Sequence, residues 1–196
     1  MLTKLKQQVQ TCLTSTATLF HNLGLTPNHV SILGIIFAAL AAVAFSQWHL
    51  NPLLLILAPV LMLVSGLFDA LDGVMARIYG EATTFGGFFD SLLDRYADAF
   101  VLCGIIIGGL TELSWGLAAL MGSLLVSYAR ARAEAAGVKM ESVGLAERAE
   151  RIVLVVAASF LSYFWLGTLN WSILILAILT NLTVIQRVIY FHKAIQ

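Results

Sequence analysis

Four aspartates, Asp69, Asp72, Asp90 and Asp94, stand in the stretch DALDGVMARIYGEATTFGGFFDSLLD. Asp69 and Asp72 are three residues apart, Asp90 and Asp94 four, so each pair shares one face of a helix. The residues just before them, Asn51 to Phe68, carry no charge. An Asp at the centre of a membrane helix costs about 2.5–3.5 kcal/mol on insertion scales, and four carboxylates also repel one another. Protonation relieves this. A divalent cation relieves it better, because hard oxygen ligands suit Mg²⁺ or Mn²⁺. Four carboxylates suffice for two such ions, the arrangement that clamps a phosphoryl group between attacking and leaving oxygens. The bland alternative, ion pairs with Arg77 and Arg95 that hold helices together, offers two arginines for four acids.

Small residues flank the acids. Gly73 and Ala76 fall on nearly the same stripe as Asp69 and Asp72, and Gly86 and Gly87 precede Asp90 on the next helix. Small residues in membrane helices also serve close packing; beside a metal cluster they clear a floor for a flat nucleotide. Gly80, Thr83 and Thr84 mark a helix end, a tight reversal and a new start. The two helices then run antiparallel with their acid pairs facing each other. From Pro52 to Tyr79 such a helix is about 42 Å long, more than the hydrocarbon core, so its acidic end projects into the interface.

The elements that position these residues are apolar throughout. The chain has 196 residues, of which 60% are hydrophobic, and a mean hydropathy of +0.91, too apolar for an ordinary soluble domain. Uncharged runs of spanning length cover Asn28–Leu50 and Asn51–Phe68, with Ala99–Thr111 and Leu113–Ala129 beyond. The run Ile152–Gln186 is broken at Gly167–Asn170 and reads as two spans. The expectation is an all-α integral membrane protein with six transmembrane helices. It forms one domain over 1–196, with 28–192 as the bundle. Residues 1–24 lack a signal-peptide core. Their stripe of Leu2, Leu5, Val9, Leu13, Thr16 and Phe20 predicts a juxtamembrane amphipathic helix on the membrane surface.

All eleven Lys and Arg fall at the two termini and in the links between spans 2 and 3 and spans 4 and 5. The other three links carry none, and of eleven acids only Glu112 lies there. By the positive-inside rule both termini and the acidic site are cytoplasmic in a multi-pass cell-membrane protein. Zero net charge reflects this segregation and by itself says nothing about partners; no nucleic-acid partner is expected. Trp48, Trp115 and Trp171 fall near the outer links as interfacial anchors. Cys12 and Cys103 and the four scattered histidines have no ligand spacing.

The pattern Asp69-x2-Asp72-Gly73-x2-Ala76-Arg77-x8-Gly86-x3-Asp90-x3-Asp94 resembles the complete signature of the CDP-alcohol phosphotransferase family. Six helices, the surface helix and the Thr26-Pro27-Asn28 start of span 1 extend the likeness over most of the chain. The resemblance implies two divalent ions, Mg²⁺ or Mn²⁺, on Asp69, Asp72, Asp90 and Asp94. It implies a CDP-activated lipid whose cytidine end lies on Gly73, Ala76, Arg77 and Gly86. An acceptor alcohol attacks the lipid-side phosphorus, CMP leaves, and Asp94 acts as general base. Homodimers are also implied, to which Gly104-x3-Gly108 in span 3 could contribute by permitting close helix approach; internal packing explains that pattern equally well.

The second polar island, SYARARAEAAGVKMESVGLAERAERI, carries five basic residues, more than orientation needs. Arg130, Arg148, Arg151 and Arg187 fall at helix ends that could converge on one phosphate, which forked guanidiniums suit. The alternative is headgroup anchoring, with Arg132 and Glu134, or Glu147 and Arg151, as surface pairs worth under about 1 kcal/mol. The AR-ARAE and GLAER-ER strings resemble the family branch that transfers onto inositol 1-phosphate, its archaeal members above all. By that resemblance Arg130, Arg148 and Arg187 form the acceptor-phosphate site, with Lys139 a lesser candidate and CDP-archaeol as donor. A phosphatidylinositol phosphate synthase using CDP-diacylglycerol and a glycerol-phosphate acceptor remain as alternatives. Two other classes compete. A divalent-cation transporter would line a path across the bilayer with its acids, whereas these gather at one face. A prenyltransferase would share the metal logic but not Gly73, Ala76, Arg77 and Gly86.

Overall fold

The computed structural model describes residues 13–140, 143–145 and 147–196. Among these the chain is helical, with no strand. Residues 13–22 belong to α1. The helices that follow are α2 (Pro27–Ser46), α3 (Leu54–Ile78), α4 (Thr84–Ile107), α5 (Leu113–Ala135), α6 (Arg148–Ser162) and α7 (Gly167–Ala194). A short 3₁₀ turn, Trp48–Leu50, follows α2.

Local chemistry sets the boundaries nearest the site. Pro27 occupies the first turn of α2, where a missing N–H costs nothing, and the Thr26 amide donates to His29 Nδ1 at 3.2 Å. The α3–α4 reversal follows the expected chemistry. Gly80 takes φ +65°, a left-handed conformation that glycine adopts freely. Thr83 caps α4 by accepting from the Gly86 amide at 2.9 Å.

Helix α2 packs on α3 and α4, α5 on α4 and α7, and α6 on α3 and α7. The last pairing brings the start of α6 against the acidic end of α3. The main core is built from Phe45, Leu55, Ile105, Leu169 and Ile173, all fully buried. A smaller one joins Ala17 of α1 to Val30, Leu71 and Met75, with Leu13 and Phe20 against it. Helix α1 is therefore docked onto α2 and α3 by the C-terminal part of its predicted stripe; Leu2, Leu5 and Val9 lie outside the described residues.

Large apolar side chains also face outward at helical spacing: Ile32, Ile36, Leu40 and Val43 on α2, and Ile175, Ile178, Leu182 and Ile185 on α7. Such stripes suit a lipid surround. Among the described residues α2, α3 and α7 are long and apolar enough to cross a membrane. The other expected spans differ: α4 carries Asp90, Asp94, Arg95 and Asp98 in its first two thirds, α5 ends in Arg130, Arg132 and Glu134, and α6 has 15 residues.

One boundary departs from expectation. The break in the last apolar run falls at 163–166, ahead of Gly167–Asn170, which opens α7. Asn170 does not form the break; its side-chain oxygen accepts from the Glu112 amide at the start of α5. The Gly104-x3-Gly108 pattern is used inside the chain. A Cβ at either position would run into α2 backbone, at Ala42 and Phe45 respectively, so these glycines seat α4 on α2 and face no second copy.

Candidate active site

Asp69 and Asp72 lie in the second half of α3, and Asp90 and Asp94 in the first half of α4. The antiparallel reversal brings oxygens of Asp69, Asp90 and Asp94 within 4.8 Å of one another. Two unit charges 4 Å apart interact by about 4 kcal/mol at an effective dielectric of 20, so three ionised carboxylates at this spacing need cations. Asp72 is turned aside. It is 5% exposed and accepts a short hydrogen bond from Ser31 Oγ of α2. All four carboxylates nonetheless line one pocket, together with Ser31, Ser65 and Arg148.

Arginines answer the acids only in part. Arg148 NH1 reaches Asp94 Oδ1 at 2.7 Å and Asp69 Oδ2 at 3.0 Å. Arg95 meets Asp94 Oδ2 at 3.3 Å and donates to the Ser91 carbonyl at 2.6 Å. One turn deeper, Asp98 lies 3.5 Å from both Arg148 and Arg151. Among the described residues, five carboxylates (Asp69, Asp72, Asp90, Asp94, Asp98) against the guanidiniums of Arg95, Arg148 and Arg151 leave this layer with two formal negative charges, and the carboxylate donor set fits a hard divalent ion.

Around the acids the predicted nucleotide floor is open on α3. A Cβ on Gly73 would meet only the Arg77 guanidinium, 3.8 Å away, and one on Gly87 would meet nothing within 4 Å. Gly86 is tighter: its Cβ would stand 3.0 Å from Thr83 Oγ1 and 3.4 Å from Asn28 Oδ1. Ala76, half-buried, follows on the Gly73 side of α3.

The three arginines expected around one phosphate are differently engaged. Arg148 is on the carboxylates. Arg187 is buried in α7, its Nε donating to the Val143 carbonyl at 2.9 Å and NH1 to the Val126 carbonyl. Arg130 pairs with Glu134 at 2.8 Å on the surface of α5. Arg130 and Arg151 both stand close enough to act on the Arg187 guanidinium. Lys139 is exposed in the α5–α6 link.

Neither surface pair of the alternative reading forms. Glu134 takes Arg130, one helical turn back, instead of Arg132. Arg151 is buried, not paired with Glu147 on the surface: its NH1 donates to the Ser123 carbonyl of α5 at 3.0 Å. Asp98 and Ser31 were not singled out from the sequence. Asp98 continues the four-residue series 90, 94, 98 along one face of α4, a signal that could have found it; Ser31 carries no comparable mark.

The model of the CDP-alcohol phosphatidyltransferase family matches residues 24–185. An archaetidylinositol phosphate synthase of Pyrococcus horikoshii is 38% identical over 196 residues, covering 100% of this chain and 99% of its own. One of Methanothermobacter thermautotrophicus is 40% identical over 177 residues, 89% of this chain and 87% of its own. Among solved structures, Mycobacterium tuberculosis phosphatidylinositol phosphate synthase is 31% identical. With CDP-DAG bound it superposes with a TM-score of 0.82 over 91% of this chain and 92% of its own. In complex with manganese and citrate it gives 0.82 over 91% and 88%.

Proposed function

Because this chain belongs to the CDP-alcohol phosphatidyltransferase family, we propose that it transfers the phospholipid moiety of CDP-archaeol to inositol 1-phosphate, forming archaetidylinositol phosphate and CMP. The observation that carries the reading is the meeting of Asp69, Asp90 and Asp94 across the α3–α4 reversal, with Arg148 of α6 reaching into the same layer. Both archaeal relatives of 38–40% identity bear the name of that activity. Transporter and prenyltransferase readings have no support beside this family.

Two divalent ions, Mg²⁺ or Mn²⁺, held by Asp69, Asp72, Asp90 and Asp94, would supply the positive charge that a diphosphate and its transferring phosphoryl group require. The M. tuberculosis enzyme's complex with manganese supports that assignment. Gly73, Ala76, Arg77 and Gly86 receive the cytidine end, the open face of Gly73 giving the base and ribose room to approach. Ser31 holds Asp72 in one orientation. The acceptor hydroxyl attacks the lipid-side phosphorus as the bond to CMP breaks, and Asp94 takes the hydroxyl proton. Arg130, Arg148 and Arg187 receive the acceptor phosphate, Arg148 from beside the general base and Arg187 from a fixed position on two backbone carbonyls. The chain forms one six-span membrane domain with its site and both termini on the cytoplasmic side, and it pairs as a homodimer through a surface other than Gly104 and Gly108.

A second reading, phosphatidylinositol phosphate synthesis from CDP-diacylglycerol, is favoured by the likeness to the structure with CDP-DAG bound. The test is CMP release by the purified protein with Mg²⁺ or Mn²⁺, CDP-archaeol or CDP-diacylglycerol, and inositol 1-phosphate, glycerol 3-phosphate, inositol or serine. Release that requires inositol 1-phosphate and prefers CDP-archaeol is expected. Preference for CDP-diacylglycerol would select the second reading, and release with glycerol 3-phosphate alone would overturn the acceptor.

A further inference from the structure

We infer that Asp98 is a positioning residue for acceptor binding, acting through Arg148; the inference rests on the proposed role of Arg148 at the acceptor phosphate. Asp98 sits one turn beyond Asp94 on α4, too deep to belong to the cluster of Asp69, Asp90 and Asp94. Its two oxygens face two different arginines of α6. Oδ1 meets Arg148 Nε at 3.5 Å and Oδ2 meets Arg151 NH2 at 3.5 Å.

Arg151 is the fixed end of this arrangement. It is 6% exposed, its NH1 is bound to the Ser123 carbonyl of α5, and its Nε has no hydrogen-bond partner among the described residues. A guanidinium so placed needs a carboxylate beside it, because a buried charge without one costs several kcal/mol. Asp98 thus cannot turn away from Arg151. With one oxygen committed there, the other takes the Nε edge of Arg148 and leaves that residue's terminal nitrogens free to point the opposite way. They point at the acid layer, where NH1 meets Asp69 and Asp94.

The cavities agree with this geometry. Arg148 lies in the wall between the acid-lined pocket and a deeper one, in which Asp98, Arg151 and Ser123 supply polar lining among Met62, Val101 and Leu176. Without an anchor on Nε, the long Arg148 side chain can rotate into that deeper space. The run from the α5 backbone through Arg151 and Asp98 to Arg148 prevents it and keeps the guanidinium plane where an acceptor phosphate meets Asp94. Asp98 touches neither substrate nor the reacting atoms. Its effect is on the acceptor alone.

A double-mutant cycle tests this. Asp98→Asn should raise KM for inositol 1-phosphate about tenfold and leave KM for the CDP-lipid within about twofold. In an Arg148→Lys background, which lacks the Nε–H edge, Asp98→Asn should change the acceptor KM by less than about twofold, because the two residues act as one unit. Isothermal titration of inositol 1-phosphate should show the same pattern of weakening without turnover. If Asp98→Asn does not fold, Asp98→Glu keeps the partner charge for Arg151 and should give an intermediate rise in the acceptor KM, again lost in the Arg148→Lys background. Equal effects in both backgrounds, an unchanged acceptor KM, or parallel rises for both substrates would overturn the inference. An Arg148→Lys single variant with unchanged acceptor KM would instead overturn the role of Arg148 on which it rests.

Discussion

The two ends of the α3–α4 pair use glycine in opposite ways. Near Asp69 to Asp94, Gly73 and Gly87 face open space or a movable Arg77 side chain. At the far end of α4, Gly104 and Gly108 lie directly against α2 backbone. The same residue therefore clears room at one end and closes it at the other. The closed end holds α4 rigidly on α2, and that rigidity keeps four carboxylates at fixed separations at the open end. Helices α2, α3 and α4 pack as one body, through these glycines at the far end and through Val30, Leu71 and Met75 beside the acids.

Substitutions at the two ends should then fail in different ways. The largest effect is expected from Asp94→Asn, with CMP release falling about 10²–10⁴-fold if the general base is lost and the melting temperature little changed. A variant that unfolded would make the acid end part of the packing and erase the contrast. Gly104→Val should do the reverse. Overpacking against α2 should cost about 1–3 kcal/mol or more in stability, read from denaturation in detergent, with activity per folded molecule retained. Gly73→Ala sharpens the comparison, because the structure leaves room for its methyl. Stability should hold or rise, while KM for the CDP-lipid increases about tenfold, the effect of one extra methyl in a fitted site. Gly87→Ala, in the same open surroundings but not among the four residues assigned to the cytidine end, should gain about 0.5–1 kcal/mol of helix stability with unchanged kinetics.

Much of the acid end was legible in the sequence because helical spacing fixes which residues share a face. The pairs 69/72 and 90/94, and the Gly80–Thr83 reversal between them, determine that two acidic faces meet. Spacing does not say which third helix arrives. That α6 packs on α3, bringing Arg148 to Asp69, depends on side-chain fit across more than seventy residues. Depth was also hidden. Arg151 sits in a charged link and reads as a surface residue, yet it lies under Asp98, because a link at a helix end can tuck its first turn into the bundle. The glycines at 104 and 108 announced a close approach but not its partner, for which helices of this chain and of a second copy are equally eligible. The Asn170 region read as a break from polarity alone, whereas that side chain serves as an acceptor for the start of α5.

Asp72 stands apart from the other three acids, turned onto Ser31 and buried, so the number of ions the site holds is the most direct measure of the account. Titration of the purified chain with Mn²⁺, following the electron paramagnetic resonance signal of the free ion, should give two ions per chain. Asp69→Asn, Asp90→Asn and Asp94→Asn should each weaken uptake about tenfold or more, and Asp72→Asn should remove one ion. A wild-type chain that takes up no Mn²⁺ saturably, or four variants that bind it as the wild type does, would contradict the assignment of these aspartates to a metal centre.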